Sequence, residues 1–206
     1  MTATLLRPGA PPLVLASGSA TRRQLLESAG LPVIVDPAGV DEGEVKQSLK
    51  AQGADAAEVA EALADLKVRQ TARRHGDAIT IGADQMLDCA GVWFDKPADL
   101  DHARAHLQAL AGRTHELISA IVVYRGGVRV WHHVERARLT MRSLDAPTLD
   151  AYLAAAGSAV IGSVGAYQVE GLGIHLFSRI EGDHSTILGL PLLPLLGFLR
   201  QHGVIL

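Results

Sequence analysis

The chain has 206 residues, 48% of them hydrophobic and 20% charged, with a formal net charge of −3. That is the composition of a globular protein with enough apolar surface for a real core. The slight acidity argues against a protein that grips a nucleic-acid polymer by its phosphates, whereas a small anion needs only a few cations focused in one pocket.

In chain order, Leu13–Ala16 is a short apolar run that reads as a buried strand, broken by Ser17-Gly18-Ser19. It is shorter than the roughly 7 apolar residues at the centre of a secretory leader. No stretch approaches the ~20 apolar residues of a membrane span. Helical spacing follows through Leu25, Leu26 and Ala29 to Gly30, and Val33–Val35 reads as a second strand. Residues 37–53 are polar, acidic and glycine-containing, and predict a mobile loop over a cleft. Val59, Leu63 and Leu66 recur at helical intervals within a long amphipathic helix over 54–75.

A third strand is expected over 78–83, with a turn at Ala90-Gly91. Cys89 is the only cysteine, which forbids an internal disulfide and fits a reducing compartment; its thiol is expected to be buried. Asp99 can cap a helix carrying Ala103, Leu107 and Leu110. Two β-rich arms, 117–124 and 128–140, flank Arg125-Gly126-Gly127 as a hairpin. Pro147 opens a helix to about Ala156. A glycine-rich hairpin is expected around Glu170–Gly173, then a strand to Ile180, and a last helix from Pro191. Strands and helices alternate at first and hairpins follow, which predicts a mixed sheet.

Five polar clusters fall at the ends of these elements. Ser17–Arg23 is a small-residue turn into a helix, whose backbone N–H groups and two arginines suit phosphate oxygens; an ordinary helix cap with solvated arginines fits equally. Asp41-Glu42 lies in the acidic segment, and carboxylates beside a phosphate site suit Mg²⁺, although a solvated loop fits as well. Lys67 sits in the long helix beside Leu63 and Leu66, where a lysine is ordinarily exposed. Asp84, in Gly82-Ala83-Asp84-Gln85, is expected just past an apolar strand, where open α/β sheets place their ligands. Lys96 precedes Pro97, a stiff site for one more cation.

Taken together and in this order, these clusters resemble the Maf nucleotide pyrophosphatases. The match runs from Leu13 almost to the C-terminus, and also takes in the segments LAGRTHELISA, GAYQVEGLG and IEGDHSTILGLP. The resemblance implies a two-lobed α/β fold with a mixed sheet, flanking helices and a central cleft, like that of inosine triphosphate pyrophosphatase, in one domain over 1–206. It implies hydrolysis of a nucleoside triphosphate to the monophosphate and pyrophosphate with Mg²⁺ or Mn²⁺. It also implies a homodimer, and a role in clearing modified nucleotides with a link to arrest of cell division.

By the same resemblance Asp84 is the catalytic acid residue, either proton acceptor or metal ligand, and Glu42 is a metal-binding or catalytic carboxylate. Ser17, Arg22, Arg23, Lys67 and Lys96 handle phosphate, and Thr21, Gln85 and Glu170 select the base. Gln85 and Glu170 match the branch acting on 7-methyl-GTP, and Gln85 offers both a donor and an acceptor. Thr21 departs from that branch, which carries an aromatic there, and Asp95 before Lys96 is unusual. A dTTP/UTP pyrophosphatase, or a nucleotide-binding regulator of division without catalysis, is the alternative. His115, His175 and His184 show no paired ligand spacing and are expected to be structural. A cytoplasmic protein bound neither to membrane nor to nucleic acid is expected.

Overall fold

The computed structural model describes residues 4–206. They form a mixed α/β structure with a seven-stranded sheet, in the order β2-β1-β3-β5-β6-β7 with β4 paired to β3. The strands are β1 Leu13–Leu15, β2 Val33–Val35, β3 Ile79–Cys89, β4 Val92–Phe94, β5 Thr114–Arg125, β6 Val128–Met141 and β7 Phe177–Glu181. The helices are α1 Ala20–Ser28, α2 Glu42–Ala51, α3 Ala56–Ala72, α4 Leu100–Leu110, α5 Ala146–Ala156, the single turn α6 His184–Ile187 and α7 Leu192–Gln201.

The residues group into two compact units. Among the described residues the first comprises Thr4–Gln85, Ser119–Glu135 and His184–Leu206. In it β1 pairs in parallel with both β2 and β3, setting Leu13 opposite Ile79 and Leu15 opposite Ile81. Side chains alternate along a strand, so Leu13, Leu15, Ile79, Ile81 and Ala83 share one face. That face packs into a core with Leu26 of α1 and Leu195 and Leu199 of α7. Thr80, Gly82 and Asp84 alternate to the other face, against α3. Gly82 makes that approach feasible: a Cβ there would stand 2.4 Å from the Ala64 carbonyl oxygen and 2.7 Å from Val68 Cβ. Helix α3 begins with a full capping box between Asp55 and Glu58, and buries Leu63, Ala64, Lys67, Val68 and Thr71.

The second unit comprises Met86–Ile118 and Arg136–Asp183. Its buried side chains include Met86, Leu87, Leu107, Leu110, Leu139, Leu153 and Tyr167. Asp99 and Asp145 cap α4 and α5 by accepting from His102 and Thr148 backbone N–H groups.

Three expectations are corrected. The predicted mobile loop over 37–53 contains α2, because Asp41 is an N-cap accepting from Glu44 N, with acids in the first turn and Lys50 in the last. The third strand does not stop at residue 83. It runs to Cys89, because Leu87–Cys89 pair with Val92–Phe94 across the Ala90-Gly91 turn. Asp84 therefore sits within β3, although three residues beyond the Ile81 that pairs with the end of β1. The expected glycine-rich hairpin at 170–173 is a turn leading into a 3-10 helix, Leu172–Leu176. Gly173 there lies against Gln168, too closely for any side chain: a Cβ would be 2.5 Å from the Gln168 carbonyl oxygen. Cys89 is buried as expected, and burial raises its thiol pKa. No helix among the described residues is long and apolar enough to cross a membrane.

Candidate active site

Parallel pairing delivers the Ser17 turn beside Ala83 and Asp84. Ser17 and Asp84 are 7% and 4% exposed, and Lys67 only 9%, so the expectation of a solvated lysine on α3 fails. The helix stripe through Ala64 and Val68 is pressed on Gly82, and Lys67, three residues after Ala64, is carried onto Asp84 by the helical repeat. Its ammonium lies 2.6 Å from Asp84 Oδ1 and 2.6 Å from Glu42 Oε1. Glu42 stands at the start of α2, with Lys46 one turn on at 4.0 Å. Sequence positions 42, 67 and 84 thus converge in one ion cluster.

The second oxygen of the aspartate, Asp84 Oδ2, is buried and has no hydrogen-bond partner within the protein. An unsatisfied buried carboxylate oxygen costs on the order of 1–3 kcal/mol or more, and such groups mark sites that a ligand or ion completes. A hard divalent cation takes one or two carboxylates, with phosphate oxygens and water for the rest. Asp84 and Glu42 are a donor set of that kind. Among the described residues no group of three or more His, Cys, Asp and Glu is placed to hold a metal. That excludes an all-protein cage of such ligands there, not a two-carboxylate site.

Arg22 turns inward rather than toward solvent. Its Nε donates to the Gly189 carbonyl at 2.8 Å, and Nη1 to Ser17 Oγ at 3.0 Å and the Ala83 carbonyl at 2.9 Å. Burial lowers its pKa, against the opposing pull of the Asp84 and Glu42 charges. Arg23, by contrast, is exposed and meets only Glu27, at 3.4 Å. Ser19 caps α1 through Arg22 N. Thr21 is half-buried on the first turn of that helix.

Gln85 alternates to the face opposite Asp84. Its Nε2 lies 3.0 Å from Ser119 Oγ, 3.1 Å from Thr186 O and 3.0 Å from Ile187 O. An amide nitrogen has two hydrogens, and three acceptors surround it, so the expected free donor at Gln85 is already engaged. Ser119 and Thr186 carry no assignment in the sequence reading. The one available signal was a hydroxyl inside the apolar run Leu117–Val123, since a buried hydroxyl requires a partner.

Lys96 and Glu170 belong to the second unit. Lys96 is exposed between β4 and α4, next to the buried Pro97, and Glu170 is exposed on the turn before the 3-10 helix. His115, also in the second unit, is buried, with Nε2 2.6 Å from Tyr167 OH, and burial lowers its pKa to about 4.

An α/β sheet carrying a buried aspartate–lysine pair, a neighbouring glutamate and a Ser-Gly-Ser turn defines a site built for charged substrates. Residues 12–202 match the family described as Maf-like protein. The chain belongs to that family. A nucleoside triphosphate pyrophosphatase of Granulibacter bethesdensis is 55% identical over 190 residues, covering 92% of this chain and 96% of that protein. Another from Paramagnetospirillum magneticum is 57% identical, covering 92% of this chain and 98% of its own. A 7-methyl-GTP pyrophosphatase of Rhizobium meliloti is 49% identical, covering 95% and 98% respectively.

Proposed function

We propose that this chain is a nucleoside triphosphate pyrophosphatase, cutting its substrate to a monophosphate and pyrophosphate. The observation that carries the reading is the Glu42–Lys67–Asp84 cluster with its unpartnered Asp84 oxygen. Relatives of that name at 55% and 57% identity over nearly their whole length support it. In the reaction the oxygen of water bonds to the α-phosphorus, and the bond from that phosphorus to the bridging oxygen breaks. Pyrophosphate leaves with the bonding pair, and the water proton passes to Asp84. Lys67 holds the Asp84 carboxylate in place through its 2.6 Å contact with Oδ1, and offers positive charge as the phosphorus becomes crowded with oxygen.

Asp84 and Glu42 would hold Mg²⁺ or Mn²⁺, which when bound supplies Lewis acidity and neutralises phosphate charge. Ser17, Arg23 and Lys96 are the proposed phosphate-handling groups, and Thr21 and Glu170 the proposed base-selecting ones; the resemblance would add Arg22 to the first set and Gln85 to the second. Glu170 favours 7-methyl-GTP: a carboxylate accepts from the N1–H and exocyclic amine of guanine and attracts the cationic ring, whereas thymine and uracil present one N–H between two carbonyls. The similar 7-methyl-GTP pyrophosphatase supports this choice over dTTP or UTP. A homodimer folded as one domain over 1–206, expected from the family resemblance, completes the proposal, with a cytoplasmic setting and no binding to nucleic acid or membrane expected from charge, cysteine usage and apolar run lengths.

The test is product analysis with a panel of nucleotides. Pyrophosphate, not orthophosphate, is expected as first product, only with divalent metal, and with the highest kcat/KM for 7-methyl-GTP. Asp84→Asn, which keeps shape and removes basicity, is expected to lower kcat by roughly 10²-fold or more. Orthophosphate as first product, full activity in chelator, or an undiminished Asp84→Asn refutes the reaction; a clear pyrimidine preference refutes only the substrate.

A further inference from the structure

Arg22 and Gln85 are cast by resemblance as substrate contacts, yet both donate to acceptors within the protein, and both do so on the same turn. That turn is α6 together with Leu188 and Gly189. Arg22 Nε reaches Gly189 O while its Nη1 holds Ala83 O, the carbonyl just before Asp84. The side chain just after Asp84, that of Gln85, reaches Thr186 O and Ile187 O. Ser119 closes the set: its hydroxyl donates to Thr186 O at 2.8 Å, so its oxygen accepts from Gln85.

Both flanks of Asp84 are therefore tied to one segment a hundred residues later in the chain, through the half-buried side chains of Arg22 and Gln85 and fully buried partners. Ser119 and Thr186 are 0% exposed. The segment is tight in itself, with Gly189 N donating to Thr186 O at 3.0 Å and Leu190 N to Ser185 O at 2.9 Å. Gly189 has φ +89°, and a Cβ on it would stand 3.3 Å from both Nε and Nη2 of Arg22, so that glycine lets the guanidinium lie flat against the turn.

We infer that the His184–Gly189 turn is a brace for Asp84, and that Arg22, Gln85 and Ser119 are positioning residues acting through it. Asp84 stands on the opposite face of β3 from Gln85, so the brace contributes nothing to the reacting atoms. It prevents the backbone at Ala83–Gln85 from shifting as charge moves at the carboxylate. The effect of position 85 on selectivity then passes through the backbone rather than through a contact with the base.

The kinetic arm rests on the pyrophosphatase reading; the exchange arm does not. Arg22→Lys preserves the charge but loses the planar fork that makes three bonds at once. A brace predicts that kcat falls about tenfold or more while KM stays within about twofold, since geometry rather than ground-state binding is lost. Ser119→Ala, far milder, lowers kcat in the same way by about threefold or more. Hydrogen exchange at the amides of Gly189 and Leu190 is expected to quicken about tenfold or more in both variants. If Arg22→Lys instead raises KM about tenfold at unchanged kcat, Arg22 is a phosphate ligand and the inference is overturned. Unchanged exchange in both variants overturns it too. Should the unmutated protein release no pyrophosphate from any nucleotide, the functional reading fails, and exchange alone decides whether the turn is braced.

Discussion

Replacing Lys67 by Met tests the ion cluster directly. The side chains are close in volume, so the change removes a charge more than it opens a cavity. Lys67 is the partner of Asp84 Oδ1, and Asp84 Oδ2 has none, so the substitution leaves a carboxylate that is 6% exposed with no hydrogen bond on either oxygen. Glu42 suffers less, because it is 43% exposed and keeps water and Lys46. Breaking a buried pair costs about 3–5 kcal/mol, and with one carboxylate spared the lower figure, about 3 kcal/mol, is expected. For a chain of this size that is a fall in Tm of roughly 6–12 °C. Asp84→Asn in the same background removes the stranded charge, and should restore about 2 kcal/mol of it, a non-additivity that a double-mutant cycle reads out. The assay is thermal and urea denaturation at neutral pH in chelator, so that no metal substitutes for the ammonium. A Lys67→Met protein within about 0.5 kcal/mol of the parent, or a double variant no more stable than the single, would refute the reasoning.

Gly82→Ala is expected to cost about 3 kcal/mol, the upper end for overpacking, because its Cβ meets the rigid Ala64 carbonyl; a parallel loss of activity should follow as α3 carries Lys67 away. Denaturation of the variant checks the first part and turnover the second. His115 titrates at about 4 when folded, below its ordinary value, so the unfolded chain binds more protons between the two and stability falls as pH drops through that window. Between pH 7 and pH 5 the loss is about 2 kcal/mol, and His115→Leu should remove that slope from urea-denaturation curves.

How far the sequence disclosed the site depends on how near each partner lies in the chain. Helix α3 was legible because its apolar spacing, its Asp55–Glu58 cap and its length all agree. Helix α2 also has an N-cap, at Asp41, but it is short and buries no residue fully, and the polar, glycine-containing stretch around it gave no sign of packing. The chemistry-bearing residues Glu42, Lys67 and Asp84 were picked out one by one, but only Gly82 and the α3 stripe explain why they meet. The partners of Gln85 were hidden for a different reason. Adjacent residues on a strand face opposite ways, so the neighbour of an active-site acid points away from it by default. Its partners lie 34, 101 and 102 residues on, beyond any local pattern.

The charges of the cluster bear on what it can bind. Lys46 and Lys67 supply two cations, and Glu42 and Asp84 two carboxylates, so the assembled group is close to neutral. A triphosphate brings about four negative charges, which a neutral group cannot offset in a partly buried setting. Arg22 adds little to that sum, because its Nε and Nη1 hydrogens are already given to three protein acceptors. Binding must therefore bring positive charge with it, and a nucleotide arriving as its divalent-metal complex does so. On that reasoning free nucleotide and free metal are each poor ligands, and the two bind with positive coupling. Calorimetric titration of the unmutated protein with an α,β-methylene nucleotide, whose bridging carbon prevents cleavage, in the presence and absence of Mg²⁺ measures that coupling; equal affinity in both conditions would show that the cluster does not work by charge balance.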